Sequence, residues 1–533
     1  MKRPATLLMV LAACGALRVW LIGHTDVISR DGTIYVRMAR EFPSAPLRVI
    51  QEYDYHVGYP AAMTGVHWFL GAMGLPDGVS AWELSGQIVS LEASLAGMVA
   101  VWLLAGMIFN WRIAWISALL FGISRKWSAL GADVLSDALA VCFQMWAVVF
   151  AVVVLGQLKR KNKRSIALAA CVGLCCGLGY LVRPEALLVA ALAGALWLAY
   201  QFRQRESLRL TVAAVGVAWA VALVCALPYM TAIGGLTKKK SFSDLVAMPL
   251  MQDAARATAS FISVGKSVGA YQFVRQIFEA MHPLVAALAC VWLVGYAIDR
   301  FWRSKKTQLV LPSPRPAGTF MMLGMLVVIC PLLIGLYANV HYLSHRHVIF
   351  LAALLSPLAG AGVIVLADFV AVLLKRIGVR RISPTTVLAI MVGVMAASLS
   401  LHTLRPLHGG KGYLRQAGQL VAESTLPGDY VLADSSWILH YSQVQGERVP
   451  PELIKTDSFG LWVRRSKATH LVLSDGTIRR VNSALWEDLV VPRFAEIGKF
   501  VKPGSKQPDT IRIYRINRGT PSQTSDKTLG GPR

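Results

Sequence analysis

Charge is what this sequence has least of. Asp, Glu, Lys and Arg make up 16% of its 533 residues, against roughly a quarter in soluble domains. Acids are the scarcer sign: 29 Asp and Glu stand against 54 Lys and Arg, for a formal net charge of +25. Cysteine is sparse too. The eight are Cys14, Cys142, Cys171, Cys175, Cys176, Cys225, Cys290 and Cys330, all in or beside apolar runs. None follows Cys330, so no disulfide framework supports the C-terminal region. Cys171, Cys175 and Cys176 lack the nearby His or acid partners of a zinc site and read as small apolar packing residues. No RNA-binding motif accompanies the basic excess, and no nucleotide-binding module is evident, so nucleic acid is not expected as a partner.

What the sequence has instead is apolar length. Hydrophobic residues make up 55% of the chain, in recurring runs long enough to cross a hydrocarbon core of about 30 Å as helices. The basic residues lie between those runs: Lys2 and Arg3; LKRKNKR at 158–164; Arg203, Arg205 and Arg209; Arg300, Arg303, Lys305 and Lys306; Lys375, Arg376, Arg380 and Arg381. If positive loops stay cytoplasmic, about eleven transmembrane helices satisfy them, near 5–23, 83–107, 112–130, 132–155, 166–182, 184–200, 210–232, 283–299, 317–339, 347–371 and 384–402. The expected fold is a polytopic α-helical membrane protein with its N-terminus cytoplasmic. The basic start and the LAAC box ending at Cys14 resemble a cleavable leader. The apolar run continues past Cys14 to spanning length, which suits an uncleaved anchor better.

This topology sends a consistent polar set to the outer face. The first outer loop, 24–82, holds Asp26, Asp31, Glu52, Asp54 and His56. The turn before the fourth span holds Arg125, Lys126, Asp133 and Asp137; YLVRPEAL holds Arg183 and Glu185; VHYLSHRH at 340–347 holds His345 and Arg346. The second outer loop, 233–282, carries Lys238, Lys239 and Lys240, which suit either an anionic headgroup or plain solvation. Charges at membrane depth are costly and usually line a site or a cavity. GYPAAMTGVHWFLGAMG at 58–74 is too broken by Gly and Pro for a full span and is expected along the interface.

Residues 403–518 change character. DYVLAD, THLVLSD and TIRIYRIN read as strands, AGQLVAEST and SALWEDLV as short helices, and the whole as a small extracytoplasmic α/β domain. The tail, 519–533, is poor in apolar residues and expected to be disordered.

RDGTIYVRMAREF, YHVGYPAAM, GADVLSDALAVCF, LGYLVRPEALL and HRHVIFLAALLSPLAG occur in this order. Together they resemble the GT-C superfamily of integral membrane glycosyltransferases. The closer likeness is to bacterial relatives of protein mannosyltransferases and of the aminoarabinose transferase of lipid A. It covers roughly residues 10–370 and makes residues 1–402 the transferase domain. The resemblance implies transfer of a sugar from a polyprenyl-phosphate donor to an acceptor hydroxyl of a protein, lipid or polysaccharide. It places the chain in a bacterial inner membrane, active on the extracytoplasmic face.

In that chemistry Asp31 is the expected base. Arg183 and Arg346, helped by His345 and His56, suit the departing phosphate. Tyr35, Arg40, Asp133, Asp137 and Glu185 are expected in support. Each has a plainer alternative: Asp31 as a helix N-cap, Arg183 as a snorkelling or ion-paired residue, Asp133 or Asp137 as a cap. A divalent metal stays open, though the sequence shows no clear ligand set. Two features depart from the family pattern. Asp31 is followed by Gly32 where an Asp-Glu pair is common, and Arg346 by His347 where Arg-Tyr is usual. A transporter or flippase is the rival reading, but no internal repeat supports it and the charges gather at one face.

Overall fold

A computed structural model describes residues 3–204, 208–238, 266–301, 312–340, 343–377, 379, 382–456, 458–481, 494–504 and 510–517. Lys239, Lys240, the SALWEDLV stretch expected as a helix and the tail from 519 lie outside the described residues. The chain forms two compact units: residues 1–24 with 34–405, and residues 25–33 with 406–533.

The first unit is helical. Its leading elements are α1 (Arg3–Gly23), α2 (Arg30–Glu41, whose first turns belong to the second unit), α3 (Pro46–Glu52), α4 (Gly58–Ala72), α5 (Val79–Ile108), α6 (Trp111–Gly122), α7 (Arg125–Leu130), α8 (Asp137–Lys159), α9 (Arg164–Val182), α10 (Ala186–Arg203) and α11 (Arg209–Ile233). Helices Lys266–Met281, Pro283–Phe301, Pro316–Val340, His345–Arg376 and Pro384–Thr403 follow. Nine of the described helices are long and apolar enough to cross a membrane. A tenth arises if Gly269–Met281 and Pro283–Ile298, bent by 108° at His282, act as one span.

Among the described residues, the span expected at 112–130 is broken, and the one expected at 283–299 qualifies only as part of the bent pair. Asn110 starts α6 by accepting from the backbone N–H groups of Arg112 and Ile113 at 2.9 and 3.1 Å. The chain then leaves helical geometry at Ser124, before α7. Twelve residues of α6 rise only about 18 Å. The stretch at 58–74 forms α4, whose Trp68 and Phe69 are exposed, as is Met73 just after it.

Small residues decide the crossing of α9 and α11. A Cβ added at Gly177 would meet Cys225 Cβ at 2.7 Å and the Ala222 carbonyl oxygen at 2.8 Å, and one added at Gly173 would strike the Ala218 carbonyl. Gly173 and Gly177 are four apart, so one face of α9 lets the backbone of α11 approach closely, as small-xxx-small pairs do in membranes. Gly177→Leu is expected to cost about 1–3 kcal/mol through overpacking. A lowered thermal midpoint and loss of a monodisperse peak in detergent would register it. An unchanged midpoint would show that the crossing is loose.

The second unit is a five-stranded mixed sheet of order β2-β1-β3-β5-β4, with β1 (Val431–Ala433), β2 (Gly446–Arg448), β3 (His470–Ser474), β4 (Phe494–Val501) and β5 (Thr510–Ile516). β1 pairs parallel with β2 and β3; β5 is antiparallel to β3 and β4. Alternation along the strands builds two cores. Val431, Ala433, Val472, Ile511 and Ile513 pack with helices Gly412–Ser424 and Ser436–Ser442. Leu432, Leu471, Leu473 and Tyr514 pack with helix Ser458–Arg465. Residues 25–33, expected in the transmembrane domain, belong here. Asp26 accepts from the Gly410 N–H at 2.7 Å, and the Trp437 indole donates to the Ile28 carbonyl at 2.7 Å.

Candidate active site

The polar residues of the first unit converge on Asp137, the first residue of α8. Its side chain is 1% exposed. Arg183 brings Nη2 to within 2.8 Å of Oδ1. Arg346 donates Nε and Nη2 to Oδ2 at 2.9 and 2.7 Å. The local sequence explains both arginines. Arg183 ends α9 in extended geometry, as a residue before proline must, so Pro184 stops the helix and turns the side chain away from its axis. Arg346 sits in the first turn of His345–Arg376, opened by a capping box in which Ser344 and His347 exchange hydrogen bonds. His347 therefore has a structural task, which accounts for its presence beside Arg346.

Tyrosines enclose this cluster. Tyr35 shares a 2.8 Å hydrogen bond with Ser136 Oγ, to which Arg183 Nε also donates at 3.3 Å. Tyr55 and Tyr59 meet the Tyr35 ring edge-on at 5.1 Å. Tyr59 donates to the Gly86 carbonyl at 2.9 Å and lies 2.8 Å from Ser90 Oγ. Burial pushes the Tyr35 and Tyr59 phenols far above their ordinary range, so both remain protonated. Burial opposes the charge on Arg183, but Asp137 and Glu185 more than offset it, and its pKa is raised. Two guanidiniums on one carboxylate leave the triad with one net positive charge.

The other expected site residues divide. Glu185 lies within electrostatic reach of Arg183, and half-buried His345 within reach of Lys126, Asp137 and Arg346. Asp133 is buried, and its Oδ1 accepts from the adjacent Val134 N–H. His56 is held elsewhere: Nε2 is 3.0 Å from Thr237 Oγ1, and the ring packs against Tyr180 and Tyr229. Arg40 is exposed in the last turn of α2. Asp31 lies in the first turn of α2, and the cap bond is not its own: Ser29 Oγ accepts from the Gly32 N–H at 3.1 Å.

Sequence reasoning passed over Ser136, Tyr55 and Tyr59. The aromatic run EYDYHVGY at 52–59 is the signal that could have found the tyrosines. Among the described residues no three His, Cys, Asp or Glu side chains converge in a metal-holding group. Both carboxylate oxygens of Asp137 already face guanidiniums, so this donor set does not favour a cation.

The family model for dolichyl-phosphate-mannose-protein mannosyltransferases matches residues 66–231, the segment that carries Asp137 and Arg183. No curated protein matches the sequence. Among solved structures, the chain resembles ArnT from Cupriavidus metallidurans in its apo state, with TM-score 0.61 at 13% identity over 96% of this chain and 98% of that one. ArnT bound to undecaprenyl phosphate gives TM-score 0.58 at 14% identity, covering 99% of both chains. The oligosaccharyltransferase AglB from Archaeoglobus fulgidus, in complex with an inhibitory peptide and a dolichol-phosphate, gives TM-score 0.56 at 13% identity over 88% of this chain and 69% of that one. The chain is a multi-pass membrane protein with the fold of the GT-C glycosyltransferases.

Proposed function

We propose that the protein transfers a sugar, hexosyl or pentosyl, from a polyprenyl-phosphate donor to an acceptor hydroxyl. The observation that carries this reading is the Asp137 cluster: two guanidiniums locked on one buried carboxylate, beside buried tyrosines, where three chain breaks between apolar helices meet. A carboxylate that fixes both arginines keeps their planar forks preorganised for phosphate oxygens. The solved neighbours bound to undecaprenyl phosphate and dolichol-phosphate support a lipid-phosphate donor.

In the proposed reaction the acceptor oxygen attacks the anomeric carbon, and its proton passes to Asp31, the base that the sequence suggests. The bond from the anomeric carbon to the phosphate oxygen breaks. Its electron pair stays on the lipid phosphate, whose added charge Arg183 and Arg346 stabilise. A single displacement inverts the anomeric centre. His345 lies close enough to assist at the phosphate. His56 is assigned instead to holding residues 236–237 in place, since Tyr180 also donates to the Leu236 carbonyl. The active face is placed outside the cytoplasm of a bacterial inner membrane, with the acceptor a protein, lipid or polysaccharide.

The test is transfer of label from radiolabelled polyprenyl-phosphate sugars in membranes carrying wild type or Arg346→Lys at matched expression. Wild type is expected to move label from lipid to acceptor. The lysine variant, which keeps the charge but loses the fork, is expected to fall by about tenfold or more. Absence of transfer from every hexosyl and pentosyl donor would overturn the reading.

A further inference from the structure

Asp31 belongs to the second unit, with the rest of residues 25–33. The chain in front of it is bonded at Asp26, Ile28 and Ser29 in turn. Asp26 accepts from the Gly410 N–H at 2.7 Å. Ile28 is 1% exposed, so its backbone groups need partners, and two aromatic side chains supply them. The Trp437 indole donates to the Ile28 carbonyl at 2.7 Å, and the Ile28 N–H donates to the Tyr441 hydroxyl at 3.4 Å. Ser29 Oγ then accepts from the Gly32 N–H at 3.1 Å and starts α2, which carries Asp31 in its first turn.

Trp437 and Tyr441 lie four apart on helix Ser436–Ser442, and so on one face of it. Each ring carries a cation from the start of helix Gly412–Ser424. Lys411 Nζ lies 4.7 Å from the centre of the Trp437 ring, and the Arg415 guanidinium 4.8 Å from that of Tyr441. Arg415 Nη2 also donates to the Tyr441 hydroxyl at 3.4 Å. Gly418 lets the two helices come together, since a Cβ there would meet Tyr441 Cβ at 2.6 Å. Cations attracted to the ring faces hold the orientation of the rings, and thereby aim the indole N–H and the phenol oxygen at Ile28. Apolar burial alone would fix the depth of the segment. Bonds to both the N–H and the carbonyl of one residue also fix its rotation, and so the direction in which the first turn of α2 sets out.

We propose that Trp437 and Tyr441 are positioning residues for Asp31, given the transfer reading in which Asp31 is the base: by holding Ile28 they set where the Asp31 carboxylate stands for the acceptor hydroxyl. They act through the backbone rather than on the reacting atoms. Base catalysis needs the carboxylate within hydrogen-bond reach of the proton it takes, and a misplacement of about 1 Å can cost about a hundredfold in rate. A carboxylate on the first turn of a helix inherits any swing of the chain that enters that helix. The pair of aromatics removes this freedom three residues before Asp31.

Trp437→Phe keeps a ring beside Lys411 and loses the donor; Tyr441→Phe keeps the ring beside Arg415 and loses the oxygen. Two readouts test them. In full-length protein in nanodiscs, deuterium uptake by the peptide spanning 25–33 is expected to be about tenfold faster in either variant, with helix Gly412–Ser424 exchanging as in wild type. In membranes at matched expression, kcat for transfer of label from radiolabelled polyprenyl-phosphate sugars should fall about ten- to a hundredfold, with the donor KM unchanged. In an Asp31→Asn background the same substitutions should change the residual rate by less than about twofold, because the base they position is gone. A structural role alone would lower the rate by the same factor in both backgrounds, and that result overturns the proposal. Unchanged exchange at 25–33 in variants of a protein that transfers sugar would also overturn it, and would leave the transfer reading intact. No transfer by wild type would overturn the transfer reading and this proposal together.

Discussion

Asp137→Asn is expected to destabilise the protein more than the loss of either arginine that Asp137 holds. Its side chain is 1% exposed, whereas those of Arg183 and Arg346 are 13% and 25% exposed. Neutralising it leaves two guanidiniums facing each other across an amide that can accept from only one of them. Breaking a buried pair in this way costs about 3–5 kcal/mol, because charge is left uncompensated away from water. Arg346→Met removes the more exposed cation and is expected to cost less. The double variant Asp137→Asn/Arg346→Met should be less damaged than the sum of the two, since it no longer holds two unneutralised cations together. Thermal midpoints of the four proteins in one detergent close the cycle. Additive shifts would mean that the ion cluster is not a coupled unit. Under the proposed function, sugar transfer should fall in Asp137→Asn even at temperatures where it remains folded, because arginines that have lost their clamp are no longer held for the phosphate that the proposal assigns them.

The same cluster shows what a linear sequence can and cannot disclose. Arg183 and Arg346 are legible because each stands in a short turn between apolar runs, where a charge needs a reason. Their common partner is not, because hydrogen-bonding distance says nothing of itself in a sequence: Arg346 and Asp137 are 209 residues apart. Hydropathy finds most spans but misreads 112–130. That stretch is apolar enough as a whole, and the break at Ser124 comes from a local change of backbone direction before Arg125 and Lys126. Strands β1, β3 and β5 lie in DYVLAD, THLVLSD and TIRIYRIN, which are readable from their β-branched and aromatic content. β2, GER, is only three residues long, and its pairing with β1 comes from the sheet rather than from its own propensity. The assignment of residues 25–33 to the C-terminal unit was equally hidden, since it rests on Asp26 and Ile28 bonding to Gly410 and Trp437.

Asp31 allows a clean separation of chemistry from stability, because the structure gives the cap to its neighbour. Ser29 satisfies the Gly32 N–H, so Ser29→Ala is expected to lose about 1 kcal/mol of stability while transfer, measured on folded protein, stays within a few-fold. Asp31→Asn should do the opposite. The amide keeps the size and polarity of the side chain at the start of α2 and gives up the favourable charge near a helix N-terminus, worth about 0.3–1 kcal/mol. It cannot take a proton from the acceptor hydroxyl, so transfer should drop by about 10²–10⁴. Donor binding should survive, because the groups proposed for the phosphate are untouched. The comparison therefore needs both readouts on each variant: thermal midpoint, and label moved from polyprenyl-phosphate sugar to acceptor. If Asp31→Asn transfers at the wild-type rate, the base is another group. If it loses transfer together with several degrees of midpoint, Asp31 holds the fold at this point, and the loss of activity says nothing about proton transfer.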